Sequence, residues 1–169
     1  MRTSCSTTSK NRGSSLIESA IAMGVLAVVI PLALGALAES GKSGASAEAE
    51  TRSTWMVPVC MKEIEASREG RPQFFTSTTD GQIFPPAGEI WALAFSAEGE
   101  PVGKVNQAIY DKGTREIDGK PVRYIAFINS EVDPMAGITP MLRVRITLEY
   151  PAAAPVAKRQ KLDFNTRIP

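Results

Sequence analysis

Residues 13–39 read GSSLIESAIAMGVLAVVIPLALGALAE, and their chemistry sets the architecture expected for the whole chain. The apolar run within this stretch covers residues 20–38, which is 19 residues without a charge, and Glu39 closes it. At about 1.5 Å per residue, a helix of that length reaches roughly 28 Å, close to the thickness of the hydrocarbon core of a bilayer. We therefore predict a membrane-spanning helix that includes Ala20, Val25, Pro31, Leu34 and Ala38.

Positive charge lies on one side of the apolar run. Residues 1–13 carry Arg2, Lys10 and Arg12 and contain no acidic residue. The positive-inside rule keeps such a basic side in the cytoplasm. We expect a single-pass protein with a cytoplasmic N-terminus, and everything after Glu39 outside the membrane.

Two residues are not explained by a simple membrane anchor. Glu18 places a carboxylate at the mouth of an apolar helix, where an unpaired charge is costly. Pro31 removes a backbone hydrogen bond from the middle of the span and is expected to kink or loosen it.

The stretch Gly13-Ser14-Ser15-Leu16-Ile17-Glu18 resembles the cleavage and methylation motif of type IV prepilins. That motif has a Gly at the end of a basic leader and a Glu five residues later. The resemblance implies that a prepilin peptidase cleaves after Gly13 and methylates the new amine of Ser14, where the family usually has Phe or Met. It also implies that Glu18 pairs with the N-terminal amine of a neighbouring subunit during assembly, so that two charges costly in lipid neutralise each other.

The apolar helix, together with an ending made of a strand, an Ala/Pro loop at 151–155 and a polar last strand, looks similar to minor pilins or pseudopilins of the V-type or I-type, and to the cassette B proteins of the Verru_Chthon group. Such a protein is a structural subunit of a type IV pilus-like or type II secretion-like filament. The implied partners are prepilin peptidase, other pilin subunits, the inner-membrane assembly platform and membrane lipid. The implied location is a bacterial inner membrane, with the head in the periplasm or in an extracytoplasmic filament.

Two other interpretations of the N-terminal segment stay open. Ala36-Leu37-Ala38 before Glu39 fits the A-x-A cleavage site of a secretory signal peptide, although the apolar run exceeds the usual h-region of about 7–15 residues. Residues 14–38 could also be a plain tether. In both cases the chain is a secreted or membrane-anchored β-rich binding module.

The expected fold class is α+β and pilin-like, with a long N-terminal helix packed on a small antiparallel sheet. Four segments are predicted: a cleaved leader at 1–13, a membrane and assembly helix at 14–40, the periplasmic half of the stem helix at 41–69 and a β head at 70–169. Gly41-Lys42-Ser43-Gly44 should interrupt the helix.

The second half of the stem helix carries an apolar stripe. Met56, Cys60 and Ile64 recur every fourth residue, and Trp55 and Val59 are expected to widen the stripe against the sheet. Pro58 should kink or restart the helix, which Gly70 and Pro72 should end. Cys60 is interpreted as a small packing residue, and Trp55 and Trp91 as core residues.

The remainder of the chain shows the patterns of strands and turns. Apolar or alternating stretches predict strands at 89–96, 122–129, 141–150 and 158–167, with a shorter extended segment at 107–110. The Asp118-Gly119 pair predicts a hairpin. In 141–150, Leu142, Val144, Ile146 and Leu148 should face the core, and Arg143, Arg145, Thr147 and Glu149 should face water. The short links predict antiparallel pairing.

The composition gives no support to catalysis or nucleic-acid binding. The chain has no histidine, so the commonest general base and zinc ligand are missing. Gly41-Lys42-Ser43 lacks the first glycine and the preceding strand of a phosphate-binding loop. A net charge of +1 gives no basic footprint for DNA or RNA. We expect no enzyme activity, no cofactor, no metal and no nucleic-acid partner.

The motif makes a direct prediction about the mature N-terminus. If prepilin peptidase processes the chain, then N-terminal sequencing of the protein purified from membranes should begin at Ser14. A first residue of Glu39 would reject this and favour a secretory signal peptide.

Overall fold

The computed structural model describes residues 16–79, 81–133 and 141–169. They form one long helix, α1 (Leu16–Arg68), followed by a five-stranded antiparallel sheet with short additional elements. The α+β class predicted from the sequence is therefore confirmed. The chain divides into two compact units between Ala45 and Ser46, so that the last part of α1 belongs to the same unit as the sheet.

Helix α1 is continuous, which corrects the expected interruption at Gly41-Lys42-Ser43-Gly44. A glycine inside a helix costs only about 1 kcal/mol relative to alanine, so two glycines among good helix formers do not end one. The helix also runs without a break through Pro31 and Pro58, and it does not restart at Pro58. It ends as predicted, at Arg68, with Gly70 at a φ of 74° just beyond.

The apolar stripe on the second half of α1 is largely confirmed. Met56 and Cys60 are fully buried, and Ile64 is 1% exposed. Trp55, however, was predicted to be a core residue and is 68% exposed, so that prediction is wrong. Since successive helical residues are turned by about 100°, a residue next to Met56 need not share its buried face.

The elements that follow α1 are short. They are β1 (Trp91–Phe95), β2 (Pro101–Lys104), α2 (Gln107–Lys112), β3 (Glu116–Ile117), β4 (Lys120–Pro121), β5 (Tyr124–Val132), β6 (Leu142–Tyr150), a 3-10 turn (Val156–Lys158) and β7 (Gln160–Ile168). The main strands lie within about two or three residues of the ranges expected from the sequence.

The sheet has the order β2-β1-β5-β6-β7, and every neighbouring pair is antiparallel, as predicted. It is not a simple meander, because β1 pairs with both β2 and β5. The chain between β2 and β5 forms α2 and the small β3–β4 hairpin. Segment 107–110, expected to be extended, is therefore helical. The signal for a helix was present: the Asn106 side chain caps it by accepting from the Ile109 N–H at 3.0 Å.

The predicted hairpin at Asp118-Gly119 is confirmed. These two residues join β3 to β4, with φ values of 50° and 74°. A two-residue turn of this kind needs positive φ at both central positions, and an Asp-Gly pair tolerates that conformation well.

The sheet has an apolar layer on each face. On one face Trp91 stacks between Phe75 and Phe84, with ring centroids 4.7 and 4.9 Å away, and Trp91 is fully buried as expected. Val57 and Met61 of α1 line a groove with Ile146 and Phe164, which places α1 on the same face. On the opposite face a second cluster is built by α2 and the loops around it: Ala92, Ala94, Val105, Tyr110, Val122, Ile125 and Ala152.

Glu63 ties α1 to the chain that follows it. Its side chain is on the buried face, and one carboxylate oxygen accepts the backbone N–H groups of Gln73, Phe74 and Phe75 at 2.9, 2.6 and 3.1 Å. These donors belong to an irregular segment with no strand partner, and the Phe75 N–H is buried while those of Gln73 and Phe74 are partly buried, so without Glu63 they would lack a protein acceptor. One carboxylate thus fixes the path of the chain into the aromatic stack.

We expect Glu63→Ala to destabilise the protein by about 2–4 kcal/mol, because it leaves buried N–H groups without an acceptor. Glu63→Gln should cost less, since an amide oxygen can still accept. The measurement is denaturant unfolding in detergent micelles, followed by tryptophan fluorescence. Exposed Glu65, on the same helix, provides the control: a loss in Glu65→Ala as large as in Glu63→Ala would contradict the role of the buried carboxylate.

Candidate functional site

The first part of α1 has the properties of a membrane-spanning helix. It is the single helix in the described part of the chain that is long and apolar enough to cross a bilayer, and its most apolar window is not buried by any part of the protein. Ala20, Val25, Pro31, Leu34 and Ala38 all lie in this helix and are exposed. The apolar helix predicted from residues 20–38 is present.

Glu18 lies in the first turn of α1 and is exposed. The position is favourable for a carboxylate, because the N-terminus of a helix carries partial positive charge. It is also the last charge before the uncharged run that ends at Glu39. Gly13 and Ser14, at which cleavage and methylation are predicted, lie outside the described residues, as does the whole leader, 1–13.

The polar face of the sheet contains a buried ionic cluster that the sequence pattern did not reveal. Glu149, expected to face water, is 1% exposed. Its carboxylate pairs with Arg159 at 2.8 Å and Lys161 at 2.9 Å, and accepts the Tyr110 hydroxyl at 2.9 Å. Glu149 is buried because α2 and the loop after β6 cover this end of the face. Strand alternation shows which face a side chain is on, but not what packs on that face.

Arg159 is the centre of that cluster. Its guanidinium also donates to the carbonyl oxygens of Ala154, at 2.8 Å, and Tyr110, and it lies over the Tyr110 ring at 4.9 Å. Burial and the hydrogen bond to Glu149 raise the pKa of Tyr110. With each charge paired, the cluster holds α2 and the loop on the sheet.

The other half of the same face is open to solvent in the part of the chain that the structure describes. Arg143, Arg145, Asn165, Thr166 and Arg167 line a groove of about 560 Å³ there. The exposure of Arg145 was predicted from the alternation in β6. The residues from β7 could be placed beside it only once the strand register was known.

Cys60 is a packing residue, as predicted. It is fully buried and forms no disulfide. Burial is the main cause that raises the pKa of its thiol to about 12. Since the thiolate is the reactive form of cysteine, this environment gives no nucleophile and no redox site.

The described residues contain no group of three or more Cys, Asp or Glu side chains arranged to hold a metal ion. In comparisons with known protein families, curated proteins and solved structures, no match to this chain is found. The chemistry of the chain itself, above all its apolar helix, therefore carries what is inferred about function.

The environment of Cys60 makes a chemical prediction. In a Cys5→Ser chain, in which Cys60 is the one thiol, maleimide labelling at pH 8 should be slower than labelling of the urea-unfolded chain by at least about a thousandfold. The reason is that the thiolate is scarce at a pH far below the pKa and that the side chain is covered. Comparable labelling rates in the folded and unfolded chains would contradict this assignment.

Proposed function

We propose that this protein is a structural subunit of a type IV pilus-like or type II secretion-like filament, a minor pilin or pseudopilin. Its processing site is Gly13 and Ser14, and its assembly residue is Glu18. The observation that carries the proposal is an exposed apolar helix with a carboxylate in its first turn, followed by a small antiparallel head.

The apolar helix supports a role in assembly as well as in anchoring. Such a helix is stable in lipid before assembly and against the apolar helices of sister subunits afterwards, so the same surface serves both states. The move of the helix from lipid to sister helices requires no additional apolar surface on the head. Assembly is then a transfer between two apolar environments.

Glu18 sets the axial position of one subunit relative to its neighbour during this transfer. An unpaired carboxylate at the edge of the bilayer is costly, and a cation at the matching height of a neighbour removes the cost. In a processed subunit that cation is the N-terminal amine of Ser14. Stacking at any other height leaves both charges unpaired, so the pair selects one axial offset between subunits.

The same proposal fixes the location and partners. The N-terminus lies in the cytoplasm of a bacterium and the head lies in the periplasm or in the filament, as the basic residues before α1 favour. Prepilin peptidase, sister pilins, the inner-membrane assembly platform and lipid are the partners. The protein acts without catalysis and without a cofactor, in keeping with a chain that contains no histidine.

Substitution of Glu18 tests the mechanism. Glu18→Ala should insert into the membrane at the normal level, because it removes a charge from the edge of the span. Its amount in sheared filaments from cells that also make the sister subunits should fall by at least about tenfold, as a charge pair in an apolar environment is lost. Immunoblots of the membrane and filament fractions measure both quantities.

Glu39→Ala is the matched control, because it removes the carboxylate at the other end of the apolar run. It should enter filaments normally. Normal entry of Glu18→Ala would contradict the proposed register contact. If instead the wild-type chain is found in the soluble fraction without its apolar helix, the chain is a secreted binding module and not a filament subunit.

A further inference from the structure

The open half of the polar sheet face is an ordered array of side chains from three strands. In the strand register, Glu131, Arg143 and Arg167 form one row across β5, β6 and β7. Asn129, Arg145 and Asn165 form the next row. Side chains directly opposite in an antiparallel pair lie about 5 Å apart, so each row presents adjacent polar groups on one face.

The first row is internally neutralised. Arg143 contacts Glu131 at 3.4 Å and the buried carboxylate of Asp133 at 3.5 Å. Arg167 also pairs with Asp133. Glu131 and Asp133 therefore engage the guanidinium groups of Arg143 and Arg167, and these ion pairs hold both arginines beside the groove.

The second row has no such partners. The side chains of Arg145, Asn129 and Asn165 are exposed, and beyond the backbone pairing of their strands they form no hydrogen bond or ion pair with another described residue. An arginine presents five N–H donors in a planar fork, and each neighbouring amide adds two donors and an acceptor. In the part of the chain that the structure describes, this row is an unpaired guanidinium between two unpaired amides.

The charge around the groove limits what it can bind. Three arginines on this face are matched by three carboxylates, those of Glu131, Asp133 and Asp163, so their charges sum to zero. Arg143 and Arg167 pair with the first two, and Asp163 accepts the Thr147 hydroxyl at 2.6 Å, so Arg145 is the arginine of the three without an ion pair in the described chain and suits a ligand with one anionic group. A polyanion is disfavoured, since its further charges would approach these carboxylates. The fork of Arg145 fits two oxygens on one centre, and the amides fit hydroxyl groups. A groove of about 560 Å³ leaves room for more than a small ion.

We propose that this groove binds a carboxylated sugar, with the carboxylate on Arg145 and ring hydroxyls on Asn165 in the groove and on Asn129, which lines a smaller adjoining groove with Arg145. The side chains that line the groove are all polar, which suits a ligand rich in hydroxyl groups better than an apolar side chain of a peptide. The site is independent of filament assembly: it lies on the head, and the Glu18 experiment does not affect it.

The test is NMR titration of the isotope-labelled full chain in detergent micelles. The probe is a disaccharide of glucuronate and N-acetylglucosamine, which carries one carboxylate, and its neutral counterpart is N,N′-diacetylchitobiose. The charged probe should cause saturable shifts at residues 143–145 and 165–167, with affinity in the millimolar range. The neutral probe should cause no shifts there.

Arg145→Gln should weaken binding by at least about tenfold, because a charge-assisted pair is lost. Arg115→Gln removes an exposed arginine elsewhere on the head and should bind as the parent does. Four results would overturn the proposal: no saturable shifts, an equal response to the neutral disaccharide, unchanged binding in Arg145→Gln, or stronger binding at the same residues by N-acetylglutamate amide or inorganic phosphate.

Discussion

Twelve large apolar side chains between Leu16 and Leu37 are 51–88% exposed, and this exposure to water is the constraint on which the rest of the chain depends. Burying a large apolar side chain is worth about 1.5–3 kcal/mol, so the set represents roughly 18–36 kcal/mol of unfavourable exposure. This exceeds the net folding stability of about 5–15 kcal/mol for a typical domain. An apolar environment such as lipid removes this cost, in keeping with a single-pass membrane protein.

The fold could be predicted from the sequence where local chemistry determines it. The apolar run, the period-four stripe of Met56, Cys60 and Ile64, and the Asp118-Gly119 hairpin each carry enough information within a few residues. The errors come from two sources. Helix α1 continues through the glycines and prolines that predict a break, and Asn106 caps a helix where the sequence pattern predicts an extended segment. A helix tolerates isolated breakers when its neighbours favour it.

The site was less predictable than the fold. Strand alternation placed Arg145 and Glu149 on one face but could not distinguish them, because their difference depends on α2 and on loops distant in sequence. The three N–H groups that donate to Glu63 belong to residues 10 to 12 positions later in the sequence, so no local pattern around Glu63 indicates them. The role of Glu18 in assembly stays a prediction, and it could be made from sequence because its signal is local: a lone charge at the edge of an uncharged stretch.

The partial cover over the polar sheet face has a consequence for how the sequence can change. Arg145 and Glu149 are on the same face of β6, four residues apart, yet one points into open solvent and the other is enclosed by charged partners. Replacement of Glu149 would strand a guanidinium in the interior, whereas replacement of Arg145 disturbs no neighbour in the described chain. Within one strand, the residue at position 145 can therefore change without a cost to folding, whereas the residue at position 149 is constrained by its buried charged partners.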